Sequence, residues 1–296
     1  MIKDFIDKSK IEYYEDISLE KYNTFRLKTI AKYLIFPKDV SEFINLLKEI
    51  KKLNLKYLIL GNGSNVIFKN DYYDGIVIRL DNLNNIKITD TNVVVEAGYS
   101  LIKLAMETAN MSLSGLEFAA GIPGQIGASV AMNAGAYKEE LANVVTKVKV
   151  INPNLEIEEL ENNQLDFSYR NSFFKKNKDY IIIEVTLKLN FKDKDSILEL
   201  IADRRKRRVS SQPLEYPSAG SVFRNPDIAP AGKLIEDANF KNTIIGGAKV
   251  SEKHANFIIN NGNAKGKDIV DLINLIKEKI KKEYDIDLIL EQEIIE

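Results

Sequence analysis

The sequence predicts an α+β fold on three observations. Apolar residues recur at helical spacing in Asp39–Leu53 and Ile269–Tyr284. Short β-branched runs such as Val144–Ile151 and Tyr180–Phe191 read as strands. Helices and strands are mixed without the regular alternation of a doubly wound parallel sheet.

In chain order, Asp39–Leu53 places Val40, Phe43, Leu46, Leu47, Ile50 and Leu53 on one stripe, and Asp39 with Glu42 resembles a capping box. Tyr57–Leu60 is a strand running into Gly61–Asn65, and Val66–Phe68 is a strand leaving it. Ile76–Leu80 and Val93–Glu96 read as further strands, and Ser100–Asn110 as a helix capped by Ser100. Asp195–Arg208 reads as a helix ending in the basic cluster DRRKRR. Ile269–Tyr284 carries Ile269, Leu272, Ile273, Ile276 and Ile280 on one stripe, and Ile286–Ile295 closes the chain as a strand.

A chain of 296 residues, 45% hydrophobic, has room for two or three domains and a sizeable core. A net charge of −1 argues against broad binding to nucleic acid or membrane surfaces. The absence of cysteine removes thiol nucleophiles, disulfides and cysteine metal sites. One histidine, His254, cannot make a His-rich metal centre, and no G-x-S-x-G elbow accompanies it. No signal-peptide core or membrane-length apolar run is present, so the expected location is cytoplasmic and no metal is expected.

Two small-residue loops carry the chemistry. Ala119–Ala136 packs Gly121, Gly124, Gly127 and Gly135 among Ala and Ser with almost no charge. Backbone without Cβ atoms can approach a ligand closely. Gly61–Asn65, GNGSN, is a shorter loop in which successive amides can cradle phosphate, with Ser64 and Asn65 adding donors. Together they fit one extended ligand, and a dinucleotide is the natural candidate. The competing reading is a hairpin turn for the first loop and tight backbone packing for the second.

Three further segments stand out. Ser221 lies in PSAGSVFRNP between Pro217 and Pro226, a stiffened turn suited to placing a hydroxyl, or an ordinary turn serine. Arg170 lies in SYRNSFFK beside Tyr169, Phe173 and Phe174, where a guanidinium needs an anionic partner, either a ligand or an internal ion pair. Alternation puts Glu293 with Ile289, Glu291 and Ile295, so it is either a buried acid with a role or an edge carboxylate facing solvent. The DRRKRR cluster reads as a solvated helix end with one arginine turned toward a ligand phosphate.

In order, NTFRL (Asn23–Leu27), GNGSN, Gly115–Ala136, SYRNSFFK, PSAGSVFRNP, AGKLIE (Ala231–Glu236), HANFIIN (His254–Asn260) and LEQE (Leu290–Glu293) resemble the MurB family of UDP-N-acetylenolpyruvoylglucosamine reductases. The resemblance covers nearly all the chain from Asn23. It implies non-covalent FAD in a two-part binding region of the vanillyl-alcohol-oxidase/PCMH type, plus a separate α+β substrate domain. It implies that NADPH reduces the flavin and that the enolpyruvyl sugar nucleotide is then reduced to UDP-N-acetylmuramate, a peptidoglycan precursor.

By the same resemblance, FAD is held by Gly61, Asn62, Gly63, Ser64, Asn65, Gly121, Ile122, Pro123, Gly124, Gly127 and Ala128. Ser221 matches the proton donor, Arg170 the catalytic arginine and Glu293 the catalytic glutamate. Tyr169 and Asn225 match substrate-contacting positions. The FAD region is expected over residues 1–191, in subdomains of about 1–80 and 81–191, with 286–296 returning as a strand. The substrate domain is expected over 192–285. The length and the short path from the basic cluster to QPLEYPSAGS match the shorter subtype, which lacks a tyrosine-bearing insertion. Two alternatives remain: an oxidase on the same flavin scaffold, and a non-catalytic dinucleotide-binding protein.

Overall fold

Helix formation at Val40–Lys52 follows from an apolar stripe and a cap. Phe43, Leu46, Leu47 and Ile50 are buried, and Asp39 accepts from the Glu42 N–H at 2.8 Å. The other half of the expected capping box differs, because the Glu42 carboxylate accepts from the Lys38 N–H at 2.7 Å. Burial of each large side chain on this stripe contributes about 1.5–3 kcal/mol. Ser100 caps helix Leu101–Asn110 through the Lys103 N–H.

The computed structural model describes residues 1–296. The chain divides into two units. The first comprises Met1–Glu15, Tyr33–Gly61 and Gly75–Lys206; the second comprises Asp16–Lys32, Asn62–Asp74 and Arg207–Glu296.

In the first unit, five antiparallel strands lie in the order Ile157–Glu161, Val145–Ile151, Ile181–Lys188, Asn92–Glu96 and Ile86–Thr89. Val93, Val95, Val148, Val150, Val185 and Leu187 give this sheet its apolar face. Tyr57–Ile59 pairs in parallel with Ile76–Ile78 of strand Tyr72–Ile78. The strand expected over Tyr180–Phe191 breaks at Leu189. There the N–H turns to Thr91 O, and Asn190–Phe191 pairs instead with Leu113–Ser114.

The Glu117 carboxyl in this unit is 6% exposed. Burial would raise its pKa, but the Ser114 hydroxyl at 2.6 Å and the Gly115 N–H at 2.8 Å hold the carboxylate and leave it below the ordinary 4.5. A depressed acid stabilises the fold above its unfolded pKa, and that stability is lost as pH falls through the folded value. Glu117→Gln is therefore expected to be less stable than the parent at pH 7 by about 1–2 kcal/mol. The gap should close as pH falls below 4.5. Unfolding free energies measured from pH 7 down to acid check this, and a pH-independent gap would refute it.

In the second unit, helix Gly266–Tyr284 buries Ile269, Val270, Leu272, Ile273, Ile276 and Ile280. Beside it, Ile244–Ile245, Ala248–Val250 and Ile258–Asn260 form a small antiparallel sheet. The expected closing strand, Ile286–Ile295, is shorter: only Glu293–Ile295 is strand, parallel to Val66–Phe68. Upstream the chain is extended but borrows another partner. Glu291 N–H donates to Val222 O, and Arg224 N–H to Ile289 O. The partner changes at Gln292, which ends the ladder. No helix is long and apolar enough to cross a membrane.

Candidate active site

Much of the backbone in the long glycine loop is committed to the protein itself. Ile126 N–H donates to Tyr99 O, Gly127 N–H to Ala97 O, and Leu101 N–H to Gly124 O. A Cβ at Gly127 would lie 2.7 Å from Ala97 Cβ, and one at Gly124 would lie 2.6 Å from Ser129 Oγ. At these two positions the absence of a Cβ permits close packing. Ile126–Ala131 forms a short helix behind Pro123–Gln125, with Ala128 on it. Gly61 faces this helix: a Cβ there would sit 3.0 Å from Ala128 Cβ. Small residues of both loops thus lie against one another in the first unit.

A polar network ties them together. Arg79 is 7% exposed and forms a bidentate pair with Asp81 at 2.6 and 2.7 Å. Its third contact is to Gly61 O at 2.6 Å, and Asp81 accepts from Gln125 Nε2 at 2.5 Å. The sequence reading did not single out Arg79, Asp81 or Gln125. An arginine two residues before an acid, after an apolar strand, was the available signal.

The rest of GNGSN belongs to the second unit. Gly63 has φ +61, and a Cβ there would lie 2.3 Å from Tyr22 O, so only glycine fits. Thr24 N–H donates to Gly63 O at 3.1 Å. Asn65 reaches the chain's end: its amide donates to Glu291 O at 3.1 Å, and its carbonyl accepts from Glu293 N–H at 2.9 Å. Asn62 and Ser64 are half-buried in the same loop.

Ser221 is half-buried in the same unit. The residues after it are pinned by Asn256, whose backbone carbonyl takes Val222 N–H at 2.9 Å. Its side chain bonds Phe223 N–H at 3.0 Å and Phe223 O at 2.8 Å. Before it, Asn260 N–H donates to Pro217 O at 2.8 Å. Asn23, 4% exposed, bridges Leu19 O, Leu27 O and Leu27 N–H. These buried asparagines satisfy irregular backbone next to the turn and loop. Their setting in apolar motifs (NTFRL, HANFIIN) was their only sequence signal. Asn225 is exposed, and its oxygen accepts from Ala231 N–H at 3.0 Å.

Glu293 is exposed, so the buried-acid reading does not hold. Alternation is present, but the inward set is the even one: Leu288 is 2% and Gln292 3% exposed. His254 is no member of a triad. Its Nδ1 accepts from Asn256 N–H at 3.2 Å, its ring lies 4.9 Å from Phe257, and burial holds it below its ordinary pKa of 6.5.

Arg170 and Tyr169 lie in the first unit, at the tip of a tight turn. Ser168 and Asn171 exchange backbone hydrogen bonds of 3.1 and 3.0 Å, and Arg170 between them has φ +54. Its guanidinium lies 5.9 Å from the exposed Tyr169 ring. In the basic cluster Arg204 and Arg208 are half-buried; Arg204 meets Glu139 at 2.5 Å and lies 5.0 Å from the Tyr137 ring.

The chain is an α+β protein with an FAD-binding domain: residues 31–161 match the family described as FAD binding domain. Residues 212–295 match the C-terminal domain of UDP-N-acetylenolpyruvoylglucosamine reductase. A reductase of that name from Clostridium kluyveri is 41% identical over 95% of this chain and 92% of its own length. One from Bacillus subtilis is 40% identical over 94% of this chain and 92% of its own. The crystal structure of UDP-N-acetylenolpyruvylglucosamine reductase (MurB) from Thermus caldophilus superposes with a TM-score of 0.81 at 32% identity, covering 97% of this chain and 99% of that one. The chain belongs to the MurB family.

Proposed function

We propose that this protein is an NADPH-dependent flavoenzyme that reduces UDP-N-acetylglucosamine enolpyruvate to UDP-N-acetylmuramate, for peptidoglycan synthesis in the cytoplasm. FAD dependence and the reductase activity follow from the family and from the FAD-binding domain. The observation that carries the assignment of residues is a hydrogen-bonded run within the second unit. Asn65 of GNGSN binds Glu291 and Glu293, and Glu291 binds Val222 beside Ser221. A cofactor loop, a carboxylate and a hydroxyl are thereby held in one frame.

FAD fits the residues present in that small residues of both loops adjoin, Gly61 lying against Ala128, and the stretch matching the FAD binding domain, residues 31–161, contains both loops. We assign non-covalent FAD to Gly61, Asn62, Gly63, Ser64, Asn65, Gly121, Ile122, Pro123, Gly124, Gly127 and Ala128. When bound, FAD carries reducing equivalents from NADPH to the enolpyruvyl double bond. Arg170 stabilises negative charge building toward the substrate carboxylate. Ser221 supplies the proton to the carbon next to that carboxylate, and Glu293 orients this centre. Tyr169 and Asn225 contact substrate. We assign residues 1–191 with 286–296 to the FAD region and 192–285 to the substrate domain. The partners are the small molecules themselves, with no role for nucleic acid.

Anaerobic stopped-flow absorbance tests the reading. The flavin band is expected to bleach with NADPH and to return on adding the enolpyruvyl sugar nucleotide. Bleaching without return would remove the substrate assignment. Absence of a flavin band after supplying FAD would remove the loop assignment.

A further inference from the structure

We propose that Gln292 is a positioning residue for Ser221, its amide locking the glycine hinge that precedes the hydroxyl. The proposal rests on Ser221 as the proton donor. Gln292 is 3% exposed, on the inward face of the chain's final segment. Its Nε2 donates to Ala219 O at 2.9 Å and lies 3.3 Å from Gly220 O and 3.5 Å from Ser221 O. The first is a full hydrogen bond, and the other two are longer, shared attractions.

These carbonyls belong to the peptide planes around Gly220 and Ser221. Gly220 has φ +74, and no atom lies within 4 Å of where its Cβ would be. Nothing steric at that glycine resists rotation. Because peptide units are planar, holding the carbonyls on both sides of Gly220 fixes its torsions and so the direction of the Ser221 side chain. Asn256 pins Val222 and Phe223, and Asn260 pins Pro217. Between these anchors the amide of Gln292 grips the carbonyls of Ala219 to Ser221.

The chemistry fixes the amide's orientation. Turned over, its oxygen would face three carbonyl oxygens. In the orientation present, Oε1 is buried and accepts no hydrogen bond, an unfavourable state kept alongside the donor contacts. A hydrophobic residue would avoid that cost, so the donor is the useful part of the side chain.

The test uses the FAD-loaded full chain with Gln292→Met, of similar length without a donor, and Gln292→Glu. For Gln292→Met we expect flavin reduction by NADPH within about twofold of the parent. Reduction of the sugar nucleotide should slow by about 10- to 100-fold, in kcat more than KM. Its solvent deuterium isotope effect should rise. Amide hydrogens in the 217–226 peptide should exchange faster. Gln292→Glu should be slow at neutral pH and recover toward the parent as pH falls, when the protonated acid regains an O–H donor for Ala219 O. Equal loss in both half-reactions, or an unchanged second half-reaction and isotope effect in Gln292→Met, would overturn the proposal. Ser221→Ala, run in parallel, separates the two ideas. Parent-like turnover there would sink the proton-donor reading, and this proposal with it.

Discussion

Ser221→Ala is expected to retain flavin reduction by NADPH and to lose reduction of the sugar nucleotide by about 100-fold or more. The substitution removes one hydroxyl and leaves the turn intact. The backbone around residue 221 is held by Asn256, Asn260 and Gln292 through main-chain atoms, none of which the change touches. Folding stability should therefore stay within about 0.5 kcal/mol of the parent, as for a substitution away from core and caps. A hydroxyl is a weak acid, and its usefulness depends on being aimed at the acceptor carbon in a site with little water. Water can replace it only slowly, which sets the residual rate. Single-turnover reoxidation of pre-reduced enzyme measures the step directly. Unchanged turnover would show that the proton comes from elsewhere.

The site was legible in the sequence where function demands unusual residue types. GNGSN stood out because Gly63 needs a left-handed backbone against Tyr22. The long glycine run stood out too, but composition could not separate ligand approach from packing, and Gly124 and Gly127 pack closely on the side where a Cβ would stand. Periodicity found helices Val40–Lys52 and Gly266–Tyr284 because each buries a continuous stripe. It misjudged Ile286–Ile295 because strand character depends on a partner, and the partner changes at Gln292. For Glu293 the sequence left burial and exposure both open, for a related reason. Alternation gives two faces but not which one is inward, and Leu288 with Gln292 takes that place. The Arg79–Asp81–Gln125 network and the asparagines at 23, 256 and 260 were not recognised as supports. Their role is to satisfy backbone brought near by the fold, and no local pattern encodes that.

Arg170→Gly is expected to change activity and stability in opposite directions. Arg170 occupies a left-handed conformation, φ +54, in the two-residue turn closed by Ser168 and Asn171. An L-residue with a long side chain costs about 1–2 kcal/mol there. Glycine removes that strain and adds about 0.5–1 kcal/mol of unfolded-state entropy, so the variant should be as stable as the parent or up to about 1.5 kcal/mol more stable. Sugar-nucleotide reduction should fall by about 100- to 1,000-fold, the cost of losing one charge-stabilising donor in a closed site. Arg170→Lys should recover part of the rate, since it restores charge without the planar fork. Thermal unfolding and single-turnover kinetics on the same preparations decide the matter. Falling stability with intact rate would make Arg170 a structural residue. A stable, inactive Arg170→Gly would mean that the strain is retained for the guanidinium, because a fold selected for stability alone would place glycine at this turn.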